Sequence, residues 1–362
     1  MRNFDEAPFL VTPPAVSVTP RRRKLGKRAR REHSQTLRRS MQLAFLSLNL
    51  WIGVQFYIFV RYYENGGQSL RVDRPAGVEG WLPIASLMNL KVLLLTGHLP
   101  KVHPAGTLLL IAFLTTSLVF RKSFCGWLCP VGTISEYLWR FGRELFRRNF
   151  RLPRVLDIPL RAIKYILLGL FIYVIASMSV PAIRGFLESP YGMVDDVKML
   201  NLFRGLGITG GATLAVLALG SILVQNFWCR YLCPYGALMG LVSLMSPLRI
   251  RRDAKLCIDC AKCAKACPSA LAVDRLVTIR SAECIGCLQC VASCPADGAL
   301  FLSAPTSITR RRRVPAWAVA TGVATLFLGA YAYGLWSGHW NTYLSGRMYL
   351  QLVPHANEFG HP

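Results

Sequence analysis

The sequence predicts a mainly α membrane protein of about five transmembrane helices, with a small α+β domain inserted before the last of them. Three observations carry that prediction. Long apolar runs free of Asp, Glu, Lys and Arg recur along the 362 residues, each long enough to cross a hydrocarbon layer. Basic residues crowd every second connection between those runs. All twelve cysteines fall in four short motifs, with none left over.

The uncharged runs cover about 41–60, 104–120, 165–183, 207–228 and 314–336. A sixth apolar stretch, 81–97, contains Pro83 and Lys91 and reads as an interfacial or re-entrant segment. With the N-terminus inside and five alternating spans, the inside connections hold 34 Lys and Arg against 9 outside. A sixth full span would place the basic 121–164 loop outside and lose that bias. The formal charge of +25 is thus spread over several membrane-adjacent loops, which suits contact with anionic lipid and argues against nucleic acid as a partner. The expected location is the bacterial inner (cytoplasmic) membrane, multi-pass, with N-terminus and cysteine-rich domain cytoplasmic and the tail from 337 periplasmic. No cleavable signal is expected, because no basic segment leads straight into a short apolar core with a small-residue site.

Four regions follow. Residues 1–40, Pro-rich and then basic, are expected to be a disordered cytoplasmic arm. Residues 41–248 form the membrane domain, 249–305 the cysteine-rich domain, and 306–362 the last span and a tail. The membrane domain holds an internal repeat: 124–132 read FCGWLCPVG and 228–236 read WCRYLCPYG, 104 residues apart. Two spans separate the copies, so both lie on one side of the membrane, a parallel repeat about an axis along the membrane normal.

Residues 257–268 read CIDCAKCAKACP and 284–295 read CIGCLQCVASCP. Each is C-x2-C-x2-C-x3-C-P, the spacing with which bacterial ferredoxins hold two [4Fe–4S] clusters, the fourth cysteine of each run serving the other cluster. Cys257, Cys260, Cys263 and Cys294 are therefore the expected ligands of one cluster, and Cys284, Cys287, Cys290 and Cys267 of the other. A zinc ribbon would use isolated C-x2-C pairs at longer spacing. From 229 to 313 the module carries 13 basic and 5 acidic residues, which suits anchoring to anionic lipid and docking of an acidic redox partner.

The repeat supplies Cys125, Cys129, Cys229 and Cys233, each pair in C-x3-C-P. Soft thiolates at two equivalent places suit Cu(I) or another soft metal, iron–sulfur, zinc or a dithiol–disulfide couple; the alternative is four cysteines packing as small apolar side chains. The expected arrangement is one shared site facing the bundle interior. At the other membrane face Lys91, His98, His103, Asp195, Asp196 and Lys198 gather near membrane level, where a quinone site would need donors and a proton path.

With these motifs placed, the chain resembles the NapH/CcoG/NosR group of membrane polyferredoxins, and within it the YccM-type electron-transport proteins. The resemblance runs from about residue 41 to the C-terminus through GWLPIASLMNLK, FCGWLCPVG, LDIPLRAIKY, SPYGMVDDVKML, WCRYLCPYGALMG and both cluster motifs. It implies four or more spans, two [4Fe–4S] clusters on the eight cysteines above, and electron exchange with quinone or quinol or with a redox partner protein, as in a quinol dehydrogenase subunit. CcoG-like members imply copper reduction through the same cysteines. The missing long C-terminal extension of that branch, and the missing flavin-binding region of NosR, place the chain nearer NapH and YccM. A membrane redox sensor is a further reading.

Overall fold

The computed structural model describes residues 27–29, 33–147, 150, 152–305 and 311–361. Helix α1 (Ser34–Glu64) leads through a 3₁₀ turn (Ala76–Trp81) to α2 (Pro83–Thr96), α3 (Pro104–Phe120), the short α4 (Ser123–Trp127), α5 (Pro130–Phe146) and α6 (Arg154–Ser177). Next come α7 (Val180–Leu187), α8 (Pro190–Met193), α9 (Asp195–Arg204) and α10 (Ile208–Leu223), a π turn (Trp228–Leu232), and α11 (Pro234–Ser243). The cysteine-rich module follows: β1 (Arg249–Arg252), α12 (Lys262–Ala266), α13 (Gln289–Ala292), β2 (Leu300–Pro305) and β3 (Arg311–Arg313). Helices α14 (Ala316–Trp336) and α15 (Gly346–Leu352) close the chain.

Three helices, α1, α6 and α14, are long and apolar enough to cross a membrane, or four crossings exist if α9 and α10, bent by 83°, count as one. The five expected runs fall on α1, α3, α6, α10 and α14, of which α3 and α10 are shorter than a full span, each for a local reason. Helix α3 has 17 residues, about 25 Å at 1.5 Å per residue, short of the roughly 30 Å hydrocarbon layer. It is an interior helix with Leu109, Leu110, Ala112 and Phe113 buried, whereas α1 and α6 expose Leu50, Trp51, Ile166 and Tyr173 outward. The apolar run 207–228 is shared between two elements: α10 stops at Leu223, Val224 pairs with Phe150 in a parallel bridge, and the rest enters the π turn. Helix α6 begins at Arg154, well before the uncharged run, because Asp157, Arg161 and Lys164 all find ion-pair partners. The stretch 81–97 forms α2, too short to span alone, started by Pro83 at its first position and closed by Gly97 at φ +72°.

Most of the arm expected over 1–40 lies outside the described residues. Its described end is tied down: Arg28 bridges Ala296, the Ala29 amide donates to the Pro295 carbonyl, and the Asp297 amide donates to that of Lys27.

Helix α3 is the axis of the fold. Helix α14 crosses it at Gly322, where an added Cβ would overlap the Phe120 ring, the close approach that small residues permit between helices in lipid. In the module, β1, β2 and β3 form an antiparallel sheet in that order, with Ile250 opposite Leu302. One hydrophobic core runs from Leu110, Phe113 and Val323 in the membrane helices through Phe124, Trp127 and Met239 to Ile250, Ile279, Leu300 and Leu302 of the module. Burial at this density makes the module and the helices one folding unit.

Candidate redox site

The two cluster motifs adopt matching backbones. Asp259 (φ +54°) and Ala261 (φ +54°) correspond to Gly286 (φ +61°) and Leu288 (φ +56°). Left-handed residues on both sides of each second cysteine curl the chain instead of extending it, and α12 and α13 then begin at the residue before the third cysteine. The thiols sort by electrostatic contact. Cys294 interacts with Cys260 and Cys257, and Cys263 with Cys294 and Cys257. Cys267 interacts with Cys284, and Cys290 with Cys287, Cys284 and Cys267. Cys290 also feels Cys263, so the two groups adjoin. Burial pushes Cys263 up to about 11 and Cys287 up to about 12. Thiols held this way suit a group that brings its own positive charge, as iron does. Among the described residues, no three His, Cys, Asp or Glu side chains close on a point that one metal ion would fill; a four-iron cubane holds its thiolates on a larger cage.

The module is fastened to the membrane helices through the loop that carries Cys284 and Cys287. Arg121, buried and at φ +61°, donates to the carbonyls of Ile279 (2.9 Å) and Ser281 (2.9 Å). The Trp127 indole, fully buried, donates to the Gly286 carbonyl at 3.0 Å. Gly126 lets this approach happen: a Cβ there would lie 2.5 Å from the Ile285 carbonyl oxygen. A second brace comes from α1 and α5. Arg38 meets Glu136 at 2.7 and 2.5 Å, Gln42 donates to the same carboxylate at 3.0 Å, and so does Gln289, beside Cys290, at 2.8 Å. Gln35 reaches the Cys287 carbonyl at 3.0 Å. Burial pushes the Glu136 carboxyl up, and Arg38 outweighs it and leaves it below the ordinary range.

Cys125, Cys129, Cys229 and Cys233 line one cavity of about 700 Å³. Cys129 and Cys233 cap helices α5 and α11 in the same way, each followed by proline, with Sγ accepting from the Gly132 amide (3.4 Å) and the Gly236 amide (3.2 Å). Cys125 interacts electrostatically with Cys233, Cys129 with Cys125 and Cys233, and Cys229 with all three others. Burial pushes Cys125 up to about 11 and Cys129 up to about 12. Pro268, Ser269 and Ile285, next to Cys267 and Cys284, line the same cavity, so it abuts the second cluster motif. Away from the thiols its wall is aromatic, with Phe45, Trp51, Trp81, Phe327 and Trp340.

Charged groups that the sequence did not single out complete this site. Lys122 is 3% exposed and lines the cavity. Burial pulls its ammonium down, but Cys125 and Glu283 outweigh that and raise it. Among the described residues it has neither hydrogen bond nor ion pair. Glu283, beside Cys284, is held by Lys164 (2.6 Å) and Tyr165 (3.0 Å) of α6. Position three before Cys125 was the one available signal for Lys122; nothing local marks Lys164 or Glu136.

The six residues expected to form a site at the other end of α3 do not act together. Lys91 donates to the carbonyls of Ile175, Ala176 and Met178 at the end of α6, and Lys198 to those of Ala356 and Phe359. His98 is exposed and bonds within its own turn. His103, Asp195 and Asp196 join two residues the sequence did not flag. Arg74 lies between Asp196 (2.6 Å) and Glu79 (2.8 Å), and His103 is 2.9 Å from Asp195 and 3.5 Å from Glu79. Burial pulls His103 down, but Asp195 and Glu79 raise it well above its ordinary value.

Comparison with known proteins places these motifs in context. A family model described as a 4Fe-4S binding domain matches residues 102–153 and 206–252, the segments that carry the two C-x3-C-P motifs, and a 4Fe-4S dicluster domain matches 249–295. The chain is 47% identical over 331 residues, 91% of its length and 93% of the relative's, to YccM of Escherichia coli (strain K12), whose description proposes electron transport. It is 27% identical to the ferredoxin-type protein NapH of the same organism, over 64% of this chain and 74% of NapH. It is 28% identical to the methylamine utilization ferredoxin-type protein MauN of Methylorubrum extorquens, over 52% of this chain and 61% of MauN. No solved structure matches the chain.

Proposed function

The chain belongs to the YccM-like family of membrane iron–sulfur electron-transport proteins, and on that footing we propose that it moves electrons between the quinone pool and a redox partner protein through two [4Fe–4S] clusters. Cys257, Cys260, Cys263 and Cys294 hold one cluster in this reading, and Cys267, Cys284, Cys287 and Cys290 the other. The clusters supply one-electron redox chemistry when bound. The chain's own residues supply the rest: Arg38, Gln42 and Gln289 hold the Glu136 carboxylate beneath the second motif, and Trp127 fixes its loop.

The observation that carries the quinone assignment is the cavity. Its aromatic wall lies between the lipid-exposed helices α1 and α14, and its polar end reaches residues adjoining Cys267 and Cys284. An apolar cleft with a few convergent polar groups is how proteins receive a hydrophobic redox carrier. This moves the quinone site from the far end of α3, where the charged residues are occupied with one another or with backbone carbonyls, to the end beside the clusters.

The test is anaerobic purification in lipid nanodiscs followed by rapid addition of menaquinol or ubiquinol. Cluster absorbance should bleach on mixing with at least one quinol. Clusters that dithionite reduces but neither quinol touches would overturn the quinone assignment. The same reading puts the N-terminus and the module in the cytoplasm of a bacterial inner membrane, from the basic-residue asymmetry. Reporter fusions at residue 300 and in the tail after 337 should report opposite sides; equal cytoplasmic signals would reject it.

A further inference from the structure

We infer that the cluster on Cys257, Cys260, Cys263 and Cys294 is the chain's port to its partner, and that lysine and arginine side chains flanking it receive an acidic one-electron carrier protein. The inference rests on the two-cluster reading above, but not on quinone, and its test is independent of quinol.

The two sets of cysteines differ in cover. Cys267, Cys284, Cys287 and Cys290 are all buried, and Trp127 and Arg121 fasten the loop around Cys284 and Cys287 to the membrane helices. Cys257, Cys260, Cys263 and Cys294 are all partly exposed. Electron transfer weakens steeply with distance, so the cluster whose ligands reach the surface is the one that a soluble protein can approach closely. The buried set abuts the cavity through Pro268 and Ile285, which gives the module an inner and an outer end.

Charge at the outer end comes from two distant parts of the chain. Lys255 precedes Cys257 by two residues, Lys262 directly precedes Cys263, and Lys265 follows it by two; all three are exposed. Lys27 and Arg28, also exposed, are brought in by backbone pairing. The Asp297 amide donates to the Lys27 carbonyl at 3.0 Å, and the Ala29 amide to that of Pro295, next to Cys294, at 2.9 Å. Acids do not balance these cations. Asp297 is exposed, but Asp253, Asp259, Asp274 and Glu283 are partly buried. Asp259 meets Arg252 at 3.5 Å, and Asp253 accepts from the Lys255 amide at 2.8 Å. Leu256, 47% exposed and next to Cys257, adds an apolar contact point among the charges. Transient redox complexes are small, and charge steers and orients them. Five exposed cations flanking one partly exposed set of ligands match an acidic protein with its own redox centre near its surface. Anionic headgroups would satisfy the same charges, but they exchange no electron with the cluster, and the module is fastened to the helices through the other cysteine loop. A transfer across this face moves one electron between two centres, one oxidised and the other reduced, with no bond made or broken.

The experiment uses the full-length protein in nanodiscs of neutral phosphatidylcholine. The probe is the soluble haem domain of cytochrome b5, an acidic one-electron acceptor, and the basic cytochrome c is its control. Binding is measured on the oxidised proteins, where no electron passes. The transfer rate is measured by stopped flow after dithionite reduction and removal of excess reductant. Binding and rate with cytochrome b5 should both weaken steeply with added salt. The Lys255→Glu/Lys262→Glu/Lys265→Glu variant should lose about tenfold or more of each toward cytochrome b5 and gain toward cytochrome c, with its iron content and dithionite bleaching unchanged. No cytochrome b5 binding at low salt, or binding that neither salt nor the substitutions alter, would overturn the proposal. The salt series on the unsubstituted protein decides it if the variant does not accumulate. A variant that keeps its cytochrome b5 rate but retains fewer phosphatidylglycerol molecules per chain on purification would assign the cations to lipid and overturn it too. Clusters that dithionite cannot reduce would instead remove the two-cluster reading, and the proposal with it.

Discussion

The two ends of helix α3 both bury charge, and they use it differently. At the His103 end, Arg74, Glu79, His103 and Asp196 are each answered by an opposite charge. At the Arg121 end, Arg38 and Glu136 form a paired brace, and a few residues away Lys122 lines a cavity beside Glu283 with no hydrogen bond or ion pair among the described residues. The contrast teaches that an ionisable residue at membrane depth is not by itself a functional mark. A saturated network ties elements together; a buried charge that lines a cavity is placed to meet whatever enters it.

The sharpest way to break that distinction is to delete one charge from each kind of site. Glu79→Leu would leave Arg74 and His103 buried with too few acids, and breaking a buried pair in this way costs about 3–5 kcal/mol. Thermal unfolding in detergent should record it as a large fall in Tm, and Glu136→Leu should behave alike. Lys122→Met should cost much less, because it breaks no hydrogen bond or ion pair among the described residues, while electron transfer through the clusters falls. A Lys122→Met protein as unstable as Glu79→Leu would erase the difference between the two ends.

A smaller effect is expected at the contact between helices and module. Gly126→Ala puts a Cβ 2.5 Å from the Ile285 carbonyl, and relieving such an overlap costs about 1–3 kcal/mol. The loss should appear as faster hydrogen exchange of amides 279–288 ahead of the remainder of the module. Uniform exchange across the chain would mean that the contact is not what holds it.

Acid and alkali separate the ends next. His103 is raised in the folded protein, so its contribution is complete below its unfolded value, about 6.5, and is lost as pH rises through the folded value. Glu79 and Glu136 are lowered, since Arg74 and Arg38 outweigh burial. Their contributions are present above the unfolded value of about 4.3 and are lost as pH falls through the folded ones. Tm should therefore decline at both extremes, and His103→Gln should flatten only the alkaline limb. The smallest effect belongs to Lys91→Met, which frees three carbonyls at the end of α6 and should cost about 1 kcal/mol without altering the cluster spectra.

How much of this was legible beforehand varies with the kind of signal. The eight-cysteine spacing and the 104-residue repeat are written in one dimension, and the structure keeps the two copies equivalent down to the left-handed residues at 259 and 286 and the sulfur caps at 129 and 233. Helix boundaries were less legible, because an uncharged run measures composition and a helix is bounded by its hydrogen bonds. Residues 207–228 carry no charge, but the helix within them ends at Leu223. Charged residues misled in the other direction at α6, where Asp157 and Lys164 are acceptable because Arg230 and Glu283 come from 73 and 119 residues away. Partners at that separation leave no local trace, which is also why Arg38 with Glu136 and Lys122 beside the thiols went unread.

The attachment of the module has a further consequence. Its cluster-bearing loop is pinned by Trp127 and Arg121, its sheet flows directly into α14, and a strap at Lys27–Ala29 crosses its far side at Ala296. A carrier on a free linker can swing between donor and acceptor and trade distance for time. Among the described residues this one is tied on two sides and not hung on a linker. It behaves as a fixed terminal, so delivery beyond it depends on the traffic of whatever docks there, and its rate should track the concentration of that visitor more than any motion of its own.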